Sequence, residues 1–123
     1  MANLVKNIFK QKNNYKVSGN LLIECDGERF FGPGRAELLE LIEQTGSLNQ
    51  AAKQMRMSYK KAWEMISQLN AQSTKPLVIL KTGGENGGGS VITAEARELI
   101  TSHRLLRKRF QAFLEKETKR LYD

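Results

Sequence analysis

The chain has almost none of the residues that form disulfides or metal sites. Its 123 residues include one cysteine, Cys25, and one histidine, His103. A lone cysteine excludes a disulfide within the chain, and these two residues do not make a cluster with zinc-ligand spacing. We therefore expect no bound metal, no cofactor and a cytoplasmic location, where thiols stay reduced.

Long apolar segments are also missing. The longest wholly apolar run, from Leu77 to Leu80, is far shorter than a membrane span. The first residues, "MANLVKNIFKQKNN", lack the apolar centre of a secretory signal. These absences predict that the chain neither associates with a membrane nor is exported.

Residue sets that support catalysis are equally scarce. His103 falls on an apolar helical stripe and Cys25 in a predicted strand, so they give no pair of nucleophile and base. The glycine-rich segment "GGENGGGS" is not followed by the lysine and the Ser or Thr of a nucleotide-binding loop. We therefore expect a protein that is not an enzyme.

Positive charge, in contrast, is abundant. Lys and Arg number 20 against 13 Asp and Glu, which gives a net charge of +7. The segment from Arg56 to Lys81 contains five basic residues and one acid, Glu64. A basic folded surface attracts polyanions, so double-stranded DNA is the expected partner. Residues 1–14 contain lysines and no acid, and we interpret them as a basic solvated tail; the alternative is a short helix docked through apolar residues between positions 4 and 9.

Turn residues and apolar spacing predict the first elements. Residues 15–31 have the pattern of a hairpin, in which "VSGNLLIEC" and "ERFF" flank the turn Asp26-Gly27. An amphipathic helix follows through "RAELLELIEQT" and ends at Gly46. Ser47 starts a capping box with Gln50, in which each side chain satisfies a backbone N–H, and a second helix follows to about Met55.

The second half predicts two more helices and another hairpin. A third helix begins with its cap at Ser58 and ends before Pro76. The runs "LVILKT" and "SVIT" flank the glycine-rich segment as a second hairpin. Thr93 caps a long helix, about residues 93–121, whose apolar residues recur every three or four positions as in helices that pack together. We expect this helix to form a dimer interface, the alternative being packing within one subunit, through Leu99, His103, Leu106, Phe110 and Phe113.

The stretch "GSLNQAAKQMRMSYKKAW" has the features of a helix-turn-helix unit. Steeply crossing helices need small residues at the crossing and apolar residues beside the turn. Arg56 stands at the turn, where glycine is usual because the backbone tends towards positive φ. The small and apolar positions are Ala51, Ala52, Met55, Met57, Ala62 and Met65.

The third helix has a polar outward face that fits a major groove. At 100° per residue, the apolar residues between Ala62 and Leu69 point inward, and Lys60, Glu64 and Ser67 lie opposite. Lysine donates to guanine edges or phosphates, whereas Glu64 accepts from cytosine. The predicted DNA contacts are Gln50, Ser58, Tyr59, Lys60, Lys61, Glu64 and Ser67, with Lys81, Thr82 and Asn86 from the second hairpin.

Simpler interpretations of the same residues stay open. Lysines at a helix start are often a solvated face, and a glycine-rich connection is often a mobile hairpin tip. We interpret Trp63, one turn after Tyr59, as packing at the edge of the core rather than contacting bases.

The order of hairpin, three helices, hairpin and long helix predicts an α+β fold. It is a winged helix-turn-helix with an N-terminal hairpin and a long C-terminal dimerisation helix, over residues 15–123. The stretch quoted above, together with "TGGENGGGSVIT", resembles the N-terminal DNA-binding domain of the ModE-type molybdate-responsive transcriptional regulators, from about Leu21 to about Leu106. The first stretch alone also fits the LysR-type regulators.

The resemblance implies a homodimeric, sequence-specific transcriptional regulator, whose third helix and second hairpin contact an inverted-repeat operator. Full-length members of that family have molybdate-binding modules after the long helix, and this chain ends at Asp123. We therefore expect a stand-alone DNA-binding domain in which molybdate binding is absent. The alternative is a winged-helix module that binds a protein partner and not specific DNA.

Overall fold

The computed structural model describes residues 4–81 and 89–123. These residues divide into two compact units. The larger unit is Leu22–His103, and the terminal unit consists of residues up to Leu21 together with Arg104–Asp123. That residues 15–123 act as one domain stays a prediction.

The larger unit begins with the predicted hairpin. Strand β1 (Ile23–Cys25) pairs antiparallel with β2 (Glu28–Phe31). Asp26 and Gly27 form the turn with φ angles of 52° and 81°, which Asp-Gly accommodates in the tight turn that matches strand twist. Residues 15–22 lie outside the strands, so the hairpin is shorter than predicted.

Three α-helices follow, with bounds close to those predicted. Helix α1 is Pro33–Thr45, α2 is Leu48–Gln54 and α3 is Tyr59–Ala71. Pro33 suits the first turn of α1 because its missing N–H would have no partner there. Gly46 ends α1 in the left-handed conformation, with φ of 69°.

Only half of the predicted capping box at α2 forms. The Ser47 hydroxyl accepts a hydrogen bond from the Gln50 backbone N–H at 3.1 Å, as expected. The Ser47 backbone N–H, however, donates to Thr45 Oγ1 at 3.2 Å and not to the Gln50 side chain. The nearby threonine takes this role because its own hydroxyl already bonds the end of α1, at the Leu41 carbonyl.

The second hairpin, which we call the wing, is also present. Strand β3 (Val78–Leu80) pairs antiparallel with β4 (Ser90–Ile92), and Val78 lies opposite Ile92. The Lys81 N–H donates to the Gly89 carbonyl at 2.7 Å, so the ladder continues one position beyond β3. The connection between these residues lies outside the described part of the chain.

The last element is the long helix α4 (Ala94–Leu121), of 28 residues. The Thr93 hydroxyl accepts from the Ala96 N–H at 3.2 Å, which confirms the predicted cap. In the larger unit, Ala96 and Ile100 of α4 join the core. That core is built by residues from both hairpins and all four helices, among them Phe31, Leu38, Ile42, Leu48, Ala62, Leu69, Val78 and Ile92.

The terminal unit is formed by the chain start and the end of α4. A 3-10 helix, Val5–Ile8, leads to Phe9, whose ring stacks on Tyr15 with centroids 4.1 Å apart. The Tyr15 N–H donates to the Tyr122 hydroxyl at 2.8 Å, and the Val17 N–H donates to Thr118 Oγ1 at 2.9 Å. The docked-helix alternative therefore describes this segment better than a solvated tail. Together these elements make an α+β winged helix, as the sequence predicts.

Candidate nucleic-acid interface

The turn between α2 and α3 has the geometry of a Schellman ending. The Met57 N–H donates to the Ala52 carbonyl at 3.0 Å, and the Arg56 N–H donates to the Lys53 carbonyl at 3.1 Å. Arg56 itself has φ of 56°, which confirms the predicted positive φ at this position. Because α2 stops sharply here, Ser58 is free to cap α3, and its hydroxyl accepts from the Lys61 N–H at 3.0 Å.

Small residues let the two helices approach closely. Ala51, Ala52 and Ala62 are buried with at most 1% of their surface exposed. Met55, Met57 and Met65 are partly buried against the same core, where their flexible side chains fill the space around the crossing. The predicted inward set is therefore confirmed.

The outward face of α3 is polar, aromatic and open to solvent. Lys60, Lys61 and Glu64 are exposed, and Ser67 is half-buried. Of the other predicted contacts, Gln50, Ser58 and Lys81 are exposed, whereas Thr82 and Asn86 lie outside the described residues. The structure thus places the predicted residues of α3 on one accessible helix surface, next to the N-terminal cap.

Two aromatic side chains extend this surface. Tyr59 is 50% exposed and Trp63 is 46% exposed. Packing at the core edge is therefore the wrong interpretation of Trp63, because nearly half of its surface meets solvent. The helical wheel places Trp63 at the margin of the apolar face, and burial at a margin depends on neighbouring elements that a wheel does not show.

The positive charges of this surface are not neutralised by neighbouring acids. Between residues that the structure describes, no ion pair involves Lys60, Lys61, Lys81 or Arg56. Lys75 differs, since its ammonium lies 3.7 Å from a Glu95 carboxylate oxygen. The charge available to a polyanion is therefore concentrated at the turn, the start of α3 and the wing.

Arg35 of α1 positions α3 against the first hairpin. Its guanidinium donates to the carbonyls of Arg29 at 3.2 Å and Phe30 at 2.7 Å, and also to Gln68 Oε1 of α3. Arg35 is 6% exposed, and burial together with the nearby charge of Arg29 lowers its pKa. Sequence reasoning did not identify this residue, because an arginine within an amphipathic helix usually belongs to the solvated face.

Asn70 near the end of α3 holds the base of the wing. Its amide nitrogen donates to the Val78 carbonyl at 2.9 Å, and its amide oxygen accepts from the N–H groups of Leu77 at 2.8 Å and Val78 at 3.2 Å. One side chain thus satisfies three backbone groups where the chain enters β3. The position of the wing relative to α3 is fixed by these bonds.

Ser90 ties the other strand of the wing to the beginning of α2. Its hydroxyl accepts from the Leu48 N–H at 3.1 Å, and its own N–H donates to the Gly46 carbonyl at 2.9 Å. Ser90 is 4% exposed. A serine beside a glycine-rich segment has the pattern of a loop residue, so no sequence signal marked this role.

The predicted interface residues of α4 occupy different environments. His103 is 2% exposed, and its ring lies edge-on to Phe31 at 5.0 Å, so it is a core residue of the larger unit. Leu99, Leu106 and Phe110 are half-buried, and Phe113 is 54% exposed. Leu105, which the sequence stripe omits, is 52% exposed.

Two searches of the structure concern other functional classes. In residues 4–81 and 89–123, no group of three His, Cys, Asp or Glu side chains could hold a metal ion. No helix within the same residues is long and apolar enough to span a membrane.

Known proteins similar to this chain have a common name. The chain matches no protein-family model. It is 42% identical over 88 residues to the transcriptional regulator ModE of Haemophilus influenzae, which covers 72% of this chain and 34% of that protein. It is 40% identical to the molybdenum transport protein ModE of Azotobacter vinelandii over 72% of this chain and 33% of that protein. The DNA-binding transcriptional dual regulator ModE of Escherichia coli K12 is 40% identical over 70% of this chain and 33% of its own length.

These similarities concern one part of each relative. The chain spans about a third of the length of the curated relatives it matches, and the match falls in their N-terminal part. The resemblance expected from the sequence is thereby confirmed: the chain is a homologue of the N-terminal part of the ModE transcriptional regulators.

Proposed function

We propose that this chain is a DNA-binding transcriptional regulator that inserts α3 into a major groove. The observation that carries the proposal is the outward face of α3, where exposed Lys60 and Lys61 have no acidic partner among the described residues. The face lies on a helix-turn-helix whose turn, cap and crossing have the geometry that groove insertion needs. The names of the relatives, which include DNA-binding regulators, support the same role.

Each side chain of this face has a chemical role in the proposal. Lys60 and Lys61 bind phosphates or guanine edges, and Glu64 accepts from cytosine or repels an incorrect base pair. Ser58 uses its oxygen to cap α3, so its hydroxyl proton is available to a phosphate. The first turn of α3 adds backbone N–H groups that favour phosphate. Gln50, Tyr59 and Ser67 complete the proposed contacts on the helix-turn-helix.

The wing provides a second contact. Lys81 is exposed where the ladder ends, and it carries a positive charge towards the tip of the hairpin. Thr82 and Asn86 follow it in the sequence, and we propose that they contact the DNA backbone or minor groove. The bonds of Asn70 and Ser90 keep the base of the wing fixed beside α2 and α3, which makes simultaneous contact by both elements possible.

We further propose that the chain acts as a homodimer on an inverted-repeat operator. Two-fold symmetry presents two α3 helices to major grooves about 34 Å apart, one helical turn along the DNA. The exposed side chains of Leu105 and Phe113 on α4 support a surface that a second copy covers. Leu99, Leu106 and Phe110 are half-buried, so they retain area for the same contact.

The decisive experiment selects and sequences genomic DNA fragments bound by the wild-type chain and repeats the binding over a salt series. The test variant is Lys60→Ala with Lys61→Ala. A matched control, Lys116→Ala with Lys119→Ala, removes the same charge from exposed lysines of α4. We expect enrichment of an inverted repeat and a salt slope about 1.8 lower in the test variant, since each lost phosphate contact removes about 0.9.

The result also distinguishes the other classes of function. Sequence-blind binding with equal salt slopes in test and control variants contradicts the proposal and directs attention to a protein partner. The relatives do not favour that alternative, because their names describe regulators and a transport protein. The same names support a role other than catalysis.

A further inference from the structure

Arg56 occupies a backbone conformation that its residue type disfavours. Among the described residues, two that are not glycine have positive φ, Asp26 at 52° and Arg56 at 56°. Asp26 belongs to an Asp-Gly turn, where this conformation is expected. Arg56 occupies the position after the C-cap of α2, where glycine is usual because a Cβ is crowded there.

The fold itself gains nothing visible from the arginine side chain. Arg56 is exposed, and in the part of the chain that the structure describes no hydrogen bond or ion pair involves its guanidinium. The two hydrogen bonds of the Schellman ending use backbone groups that glycine also has. A strained residue whose side chain does not stabilise the fold indicates a role outside it.

The location of Arg56 suggests what that role is. The residue lies between α2 and α3, two positions before the cap of α3 at Ser58. In a helix-turn-helix the first helix crosses the DNA backbone while the second enters the groove, so the connection between them faces phosphates. A guanidinium binds a phosphate with two parallel hydrogen bonds, which lysine does not reproduce.

We infer that Arg56 is a phosphate-binding residue that fixes the entry of α3 into the groove. The inference rests on the proposed function, since it requires that α3 binds DNA. Arg56 contacts the backbone of duplex DNA and carries no base preference. It therefore adds affinity uniformly across sequences, whereas Lys60 and Glu64 discriminate between bases.

Three substitutions separate charge from backbone strain. Arg56→Gln keeps a Cβ at the strained position and removes the charge, Arg56→Lys keeps the charge, and Arg56→Gly removes both charge and strain. Arg109→Gln is the control, because it removes one exposed positive charge from α4. Each variant is titrated with a mixed-sequence DNA duplex at several salt concentrations, and its thermal unfolding is recorded in parallel.

We expect Arg56→Gln and Arg56→Gly to bind the duplex roughly three- to tenfold more weakly, with a salt slope lower by about 0.9. Arg56→Lys retains the slope and loses part of the affinity, and Arg56→Gly unfolds at a higher temperature than wild type. Arg109→Gln changes affinity less than Arg56→Gln.

Two outcomes have different meanings. If the wild-type chain binds DNA and Arg56→Gln binds with the same affinity and slope, the inference about Arg56 is overturned and the proposed function stands. If the wild-type chain does not bind DNA at all, both are overturned. The raised unfolding temperature expected for Arg56→Gly ensures that weak binding by this variant does not reflect loss of the fold.

Discussion

Replacing Asn70 by alanine should destabilise the chain by about 2 to 3 kcal/mol. The asparagine amide satisfies two N–H groups and one carbonyl of Leu77 and Val78, at distances from 2.8 to 3.2 Å. Leu77 and Val78 are 4% and 2% exposed, so water reaches these groups poorly once the amide is gone. Each lost bond to a buried group costs about 1 kcal/mol, and alanine recovers about half of one such increment through its higher helix propensity.

Thermal unfolding and urea titration measure this effect. A loss of that size lowers the unfolding midpoint by about 10 °C in a chain of this length. Asn70→Asp keeps the acceptor and loses the donor to the Val78 carbonyl, so it should cost about 1 kcal/mol. Asn49→Ala is the matched control, since Asn49 is an exposed asparagine of α2.

The two asparagine variants also define what would refute the reasoning. If Asn70→Ala unfolds within about 0.5 kcal/mol of wild type, the amide does not support the wing. If Asn49→Ala loses as much stability as Asn70→Ala, the loss reflects helix effects and not the hydrogen bonds to β3.

Two further variants test other contacts. Ser90→Ala removes the acceptor of the buried Leu48 N–H and should lower the free energy of unfolding by about 1 to 2 kcal/mol in urea titration; an unchanged midpoint would show that the bond is dispensable. Phe113→Glu places a charge on the exposed α4 surface and should convert the proposed dimer to a monomer by light scattering, with unchanged thermal stability of the subunit at low concentration. Identical masses for wild type and Phe113→Glu would contradict the proposed interface.

The sequence predicted those elements that local chemistry determines. Gly46, Ser58 and Thr93 mark helix ends because capping and left-handed conformations depend on the residue at that one position. The positive φ of Arg56 was likewise predictable, since the turn geometry of a helix-turn-helix requires it. The inward face of α3 followed from spacing alone.

Long-range hydrogen bonds were not predictable in the same way. Arg35, Asn70 and Ser90 are polar residues whose partners lie on other elements. Nothing in their local sequence shows whether such a side chain meets water or a buried backbone group. Trp63 illustrates the same limit, because its exposure depends on what packs beside α3. Which of the exposed residues contact DNA stays a prediction.

The bonds of Ser90 have a consequence for how this unit folds. Leu48 and Ser90 are separated by 42 positions, and their hydrogen bond closes a loop that contains α2, α3 and β3. The conformational entropy lost in closing a long loop grows slowly with its length, so one closure brings the whole helix-turn-helix together with the wing. A fragment that ends after α3 lacks the acceptor for the first amide of α2. The helix-turn-helix is therefore not an autonomous folding unit, and its assembly waits for a segment made later on the ribosome.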